Sequence, residues 1–213
     1  ALAVCRTMLT PSPRVLGSIY LLGPWILVSI ALLPQKIAIE QKVPLLVCFQ
    51  FIGSYKKANI RQYHFLFEGL KETEKELHKY QIGFTLLKGA AEVQIPKLID
   101  QYVVGHLVTD FSPLKVYRNR LKKVLSKVSI PVTQVDTHNI IPVWETSDKK
   151  EFAAYTIRPK IKKQMPEYLI EFPKIKKHPI VQKTKKHDIK WNNITDSLKL
   201  NLKIKPLDWI EPG

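Results

Sequence analysis

Six residues able to hold a ligand sit just past two short apolar runs. Asp110, Phe111 and Ser112 follow His106–Thr109, and Asp136, His138 and Asn139 follow Pro131–Val135. Open α/β sheets bind ligands in the crevice outside the carboxyl ends of their strands, where carboxylate, imidazole and amide groups orient a bound molecule. If the two strands are neighbours, the two clusters line one side of such a crevice, with Gln50, Phe51 and Lys88 added from earlier strand ends. Each residue also has a structural reading: Ser112 as a helix N-cap, Asp136 as a turn former, His138 as the partner of a buried backbone group.

Several other chemistries lack their residues. A dinucleotide site needs Gly-x-Gly-x-x-Gly after the first strand so that backbone and pyrophosphate can approach, but Gly23 and Gly53 stand alone. There is no P-loop, no Gly-x-Ser-x-Gly nucleophile elbow, and no Ser/His/Asp set recognisable from spacing. Cys5 and Cys48 form no CxxC pair and the six histidines are scattered, so no metal site is expected. Two cysteines cannot make a disulfide framework, which fits a reducing compartment; Cys48 lies in an apolar run as a small hydrophobe would.

The elements that must position the clusters follow from periodicity. Val43–Phe49 is a continuous apolar run, Ile60, Tyr63, Phe67, Leu70 and Leu77 recur at helical spacing, and Ile82–Leu87 is again strand-like, which together make a βαβ unit. Ala91–Val103 reads as a helix broken at Pro96, followed by the strand His106–Thr109. Ser112 and Pro113 read as N-cap and first residue of a helix over Leu114–Val128. Pro131–Val135 is the last strand. With Ser18–Leu22 as a first strand, the pattern implies an α/β fold: a Rossmann-like, doubly wound, mostly parallel five-stranded sheet with helices on both faces. Beyond Asp148, a helix over Lys149–Met165 is expected to break near Pro159 and Pro166, and a basic C-terminal linker follows.

The 213 residues suffice for one such domain with an extension, and 45% hydrophobic content supports a core. A formal charge of +16 favours polyanionic partners, with nucleic acid foremost; Glu171 to Lys205 alone holds ten Lys against three acidic residues. Lys174, Lys176, Lys177, Lys183, Lys185 and Lys186 are the expected contacts for weak, non-specific DNA binding. Residues 15–33 are uncharged and mostly apolar after Arg6 and Arg14, the pattern of a signal anchor, although Ser18–Leu22 before Gly23-Pro24 also suits a buried parallel strand.

The window Val108-Thr109-Asp110-Phe111-Ser112-Pro113-Leu114, with Val135-Asp136-Thr137-His138-Asn139-Ile140-Ile141-Pro142, closely resembles the class II cyclobutane-pyrimidine-dimer DNA photolyases. Arg61–Leu70 is similar to that family's first long helix, Ser147–Ile161 to the segment after its fifth strand, and Leu207–Gly213 to the connection toward its helical domain. The similarity runs from about Ala31 to Gly213 and fails before it: where the family has Tyr-Trp-Met-Ser-Arg-Asp-Gln-Arg, this chain has Tyr20-Leu21-Leu22-Gly23-Pro24-Trp25-Ile26-Leu27. Residues 1–30 therefore read as an aberrant or mispredicted segment, 31–170 as the photolyase α/β domain, and 171–213 as a linker.

What the resemblance implies is the amino-terminal domain of an intracellular, nuclear enzyme that reverses pyrimidine dimers in UV-damaged DNA with light. In such enzymes this domain holds an antenna chromophore, a deazaflavin in several relatives, while FAD sits in the later helical domain. A chain ending before that domain is expected to be inactive alone and to keep antenna binding and domain docking. The alternative is a non-catalytic basic α/β interaction protein anchored in a membrane through residues 15–33.

Overall fold

The computed structural model describes residues 18–21, 32–52, 59–171, 174–181, 189–198 and 205–206. Its strands are β1 (Ser18–Leu21), β2 (Leu45–Phe51), β3 (Gly83–Lys88), β4 (His106–Asp110) and β5 (Val132–Val135). Among the described residues the helices are α1 (Leu32–Glu40), α2 (Ile60–Lys79), α3 (Ala91–Tyr102), α4 (Lys115–Leu125), α5 (Val143–Thr146), α6 (Ala154–Tyr168) and α7 (Trp191–Asp196).

β2 shows why its sequence is apolar without alternation. Val47, Phe49 and Phe51 point into one core with Tyr63, Phe67, Leu70 and Leu77 of α2, while Leu46 and Cys48 point into a second with Ile95, Leu98, Ile99 and Tyr102 of α3 and Val124 of α4. A parallel strand covered by helices on both faces has no wet side to mark. α2 is set at its start by a capping box: Asn59 accepts from the Arg61 amide at 2.9 Å, and Gln62 accepts from the Asn59 amide at 2.8 Å.

β2 pairs in parallel with β3 from Leu46↔Gly83 to Phe51↔Lys88, and β4 with β5 from Leu107↔Val132 to Asp110↔Val135. The four-residue backbone of β1 lies between these halves, parallel to both, in the order β3-β2-β1-β4-β5. The α/β, broadly Rossmann-like architecture thus holds, with β2–β3 and β4–β5 as two parallel pairs and the four-residue β1 paired between them. Packing also joins the halves, since Val108 of β4 enters the first core and Leu107 the second.

Three expectations about helices are also corrected. α3 continues through Pro96. Proline inside a helix costs about 3 kcal/mol, but Ile95, Leu98, Ile99 and Tyr102 are buried on either side of it, and each such side chain contributes about 1.5–3 kcal/mol. α4 starts at Lys115, after an extended Leu114 without a side-chain cap, so Ser112 is not its N-cap. Proline disfavours helical geometry in the residue before it, and Ser112 instead accepts a turn bond from the Leu114 amide at 3.4 Å. α6 runs unbroken through Pro159 and Pro166, pinned by Lys160 on Glu151 at 2.6 Å and by Gln164 donating to the Glu145 carbonyl at 3.1 Å.

The lysine-rich segment returns to this body. His178 is fully buried, its amide donating to Tyr80 O at 2.8 Å and its Nε2 lying 2.9 Å from Val43 O. Gln35 donates to Lys176 O at 2.5 Å, Ile175 packs on the first core, and the Trp191 indole donates to Glu74 at 2.9 Å. Of the apolar window 15–33, Ser18–Leu21 is strand, Leu32 and Leu33 open α1, and the remainder lies outside the described residues. Among the described residues no helix is long and apolar enough to cross a membrane.

Candidate functional site

The strand order reverses between β1 and β4: β2 and β3 follow β1 toward one edge, and β4 and β5 lie toward the other. Open α/β sheets bind ligands beside such a reversal, at the carboxyl ends of the strands, and Asp110 is the last residue of β4. Pairing of β4 with β5 continues one step further, with the Phe111 amide donating to Val135 O at 2.7 Å. The two polar clusters therefore do meet.

Asp110 joins them. Its Oδ1 accepts from the Thr137 hydroxyl at 2.7 Å and the Thr137 amide at 3.3 Å, and its Oδ2 lies 2.8 Å from His138 Nε2. A carboxylate accepts only, so Nε2 carries the proton and Nδ1 of the half-exposed ring is left for another partner. Asp136 turns inward. It is 7% exposed, and its two oxygens accept from the backbone amides of His138, Asn139 and Val143 at 3.1–3.2 Å and from the Asn139 side chain at 2.9 and 3.1 Å. Asp136 shapes the loop and holds the exposed Asn139 by its side-chain nitrogen, with no described bond to the side-chain oxygen. Phe111 meets Trp144 edge to face, centroids 5.6 Å apart, and Ser112 is half-buried beside them.

Gln50, Phe51 and Lys88 belong to the other half of the sheet. Gln50 donates to Gly89 O, Phe51 packs against Phe67, and Lys88 donates to the Ser197 hydroxyl at 2.6 Å. No described contact joins them to the Asp110–Asp136 cluster. Lys174, Lys176 and Lys177 are exposed; Lys183, Lys185 and Lys186 lie outside the described residues. Two site residues escaped sequence reasoning, Thr137, which lies inside the Val135–Pro142 window, and Trp144, two residues beyond it.

A second polar cluster was not legible at all. Glu151 accepts from Ser147 at 2.8 Å and from Lys160 at 2.6 Å, and these partners with Thr156 hold its carboxyl down at about 2. His106 is a structural histidine: its Nε2 lies 2.8 Å from Thr133 Oγ1, bridging β4 and β5, and burial lowers its pKa. Burial pushes the Cys48 thiol up, consistent with an inert core residue. Among the described residues no group of three His, Cys, Asp or Glu side chains is arranged to hold a metal ion.

Fold and site together define a doubly wound α/β domain whose two polar motif loops meet at the carboxyl ends of β4 and β5. The sequence matches the DNA photolyase family over residues 30–179, and the chain belongs to that family. It is 38% identical over 181 residues to the deoxyribodipyrimidine photo-lyase of Potorous tridactylus, covering 84% of this chain and 34% of that protein. It is 34% identical over 182 residues to the deoxyribodipyrimidine photo-lyase of Arabidopsis thaliana, covering 83% and 37%. The chain thus spans about a third of the length of these relatives. A cryptochrome of Synechocystis sp. PCC6803 shares the fold, with a TM-score of 0.60 at 11% identity over 72% of this chain and 35% of that one.

Proposed function

We propose that this chain is the amino-terminal α/β domain of a class II cyclobutane-pyrimidine-dimer photolyase and that its crevice binds a deazaflavin-type antenna. The observation that carries the reading is the Asp110 brace to Thr137 and His138, which locks the two motif loops together at the carboxyl ends of β4 and β5, beside the reversal. With Asp110 and Asp136 engaged internally, the groups left for a ligand are His138 Nδ1, the Asn139 amide oxygen, the Ser112 hydroxyl and the faces of Phe111 and Trp144. Aromatic surface with a few polar groups at its rim suits a planar, polar-edged chromophore. Dimer splitting draws its electron chemistry from a flavin, to which no residue of this domain is assigned. The domain's part is to bind, orient and exclude water.

Fluorescence titration of the folded chain with a deazaflavin tests the reading. Saturable binding is expected, weakened about tenfold in His138→Ala, since one lost hydrogen bond is worth about 1 kcal/mol or more, and weakened also in Asp110→Ala. Tight binding untouched by both substitutions would place the pocket elsewhere. Stoichiometric flavin retention, or loss of dimers from an irradiated damaged oligonucleotide by this chain alone, would refute the domain assignment.

A further inference from the structure

Residues 115–127 carry six cations, Lys115, Arg118, Arg120, Lys122, Lys123 and Lys127, and no acidic residue. On α4, Lys115, Arg118 and Lys122 follow one another at i, i+3 and i+7, Arg120 and Lys123 stand three apart on the opposite flank, and Lys127 lies in the turn just past the helix. Asn119 and Ser126 lie between the two rows on the outer face, and the only buried residue of the helix is Val124, on the inner face. Five of the six cations are exposed, and Arg120, half-buried, lies 5.5 Å from the Tyr117 ring centroid. Among the described ion pairs only Lys123 has an acidic partner, Glu92 at 3.4 Å.

Such a helix is not composed for stability. Like charges three and four residues apart oppose helix formation, and α4 repeats that arrangement at Arg118 and Lys122, Lys115 and Arg118, Arg120 and Lys123. We propose that α4 is a nucleic-acid-binding element, its two cation rows contacting phosphates of duplex DNA on either side of the Asn119–Ser126 strip. Charge complementarity commits the surface to a polyanion, and two flanking rows with short polar residues between them match the paired backbones of a duplex groove. An anionic lipid surface fits less well. Val116 projects from the side opposite Leu125, and Tyr117 and Leu125 flank the inward-turned Leu121 and Val124, so the outer face offers no apolar surface to bury. Compared with Lys174, Lys176 and Lys177, the α4 cations stand on a regular helix backed by the second core, so less backbone ordering is needed on binding. The inference is independent of antenna binding, which is read by a different assay.

Anisotropy of a labelled 20-base-pair duplex, titrated with the whole chain at several salt concentrations between about 50 and 200 mM, reads both affinity and the number of phosphates neutralised. In a variant carrying Lys115→Gln, Arg118→Gln and Lys122→Gln, the slope of log affinity against log salt is expected to fall by about 2 to 3, with at least a tenfold loss at the lowest salt. The single Arg118→Gln change is expected to lower the slope by about 1; an unchanged circular dichroism spectrum and urea midpoint show that the fold survives. An equivalent variant at Lys174, Lys176 and Lys177 is expected to do less. Unchanged affinity and slope in both α4 variants, loss only in the tail variant, or α4-dependent binding to phosphatidylserine vesicles exceeding that to DNA would each overturn the proposal.

Discussion

Replacing Asp136 by alanine removes the acceptor for three backbone amides and one side-chain amide in a residue 7% exposed. Hydrogen bonds to a charged group contribute about 1.5–3 kcal/mol each, which for the amides of His138, Asn139 and Val143 sums to a ceiling near 4.5–9 kcal/mol. The His138–Asn139 loop is exposed, so water recovers part of that loss, and the expected destabilisation is about 3–4 kcal/mol. A domain of this kind holds only about 5–15 kcal/mol in all. With a urea dependence of about 2 kcal/mol per molar, the midpoint of unfolding followed by circular dichroism falls by about 1.5–2 M, with the slope unchanged. Asp136→Asn retains the shape and one oxygen but points an amide donor at another donor, and is expected to cost about half as much. Asn139→Ala, which leaves the three backbone bonds in place, costs about 1 kcal/mol. A loss below about 0.5 kcal/mol for Asp136→Ala, the size of an ordinary surface substitution, would refute the assignment of Asp136 as the organiser of this loop.

Glu151, held at about 2 against its usual 4.5, contributes stability that is fully present above pH 4.5 and lost as pH falls through about 2. Wild type should therefore exceed Glu151→Gln in urea midpoint at neutral pH, with the gap closing between about pH 4.5 and 2; a gap independent of pH would show the carboxylate is not held by Lys160 and Ser147. In a Cys5→Ser background, Cys48 should resist a thiol reagent at pH 8 in the native chain and react fully in denaturant, because burial raises its pKa and blocks access. Rapid native labelling would contradict a core position in β2. His178→Ala deletes a fully buried ring and its bond to Val43 O and should destabilise by about 2–4 kcal/mol. It should also speed tryptic cleavage among Lys174, Lys176 and Lys177, and unaltered cleavage would show that the ring does not tether this segment.

Elements whose burial repeats along the chain were legible from residue order. β2 announced itself because both its faces are buried, and α2 because Tyr63, Phe67, Leu70 and Leu77 return to one side. The strand ends carrying Asp110 and Asp136 were likewise visible, since Asp-Phe-Ser-Pro and Asp-Thr-His-Asn interrupt apolar runs. Periodicity reports each side chain's own environment and is silent about its partner. It could not say that Asp110 accepts from Thr137 and His138 while Asp136 turns inward to cap its own loop, because that division depends on β4 lying beside β5. It read Pro96 and Pro159 as breaks because the local penalty is visible in the chain, whereas the burial around Ile95 and the anchoring of Lys160 that offset it are not. The docking of His178 against Val43 and Tyr80, across 135 and 98 positions of sequence, was likewise beyond reach of any local pattern. Local preference chooses the elements, and only the folded packing decides which polar groups are consumed in holding it together and which remain free to bind.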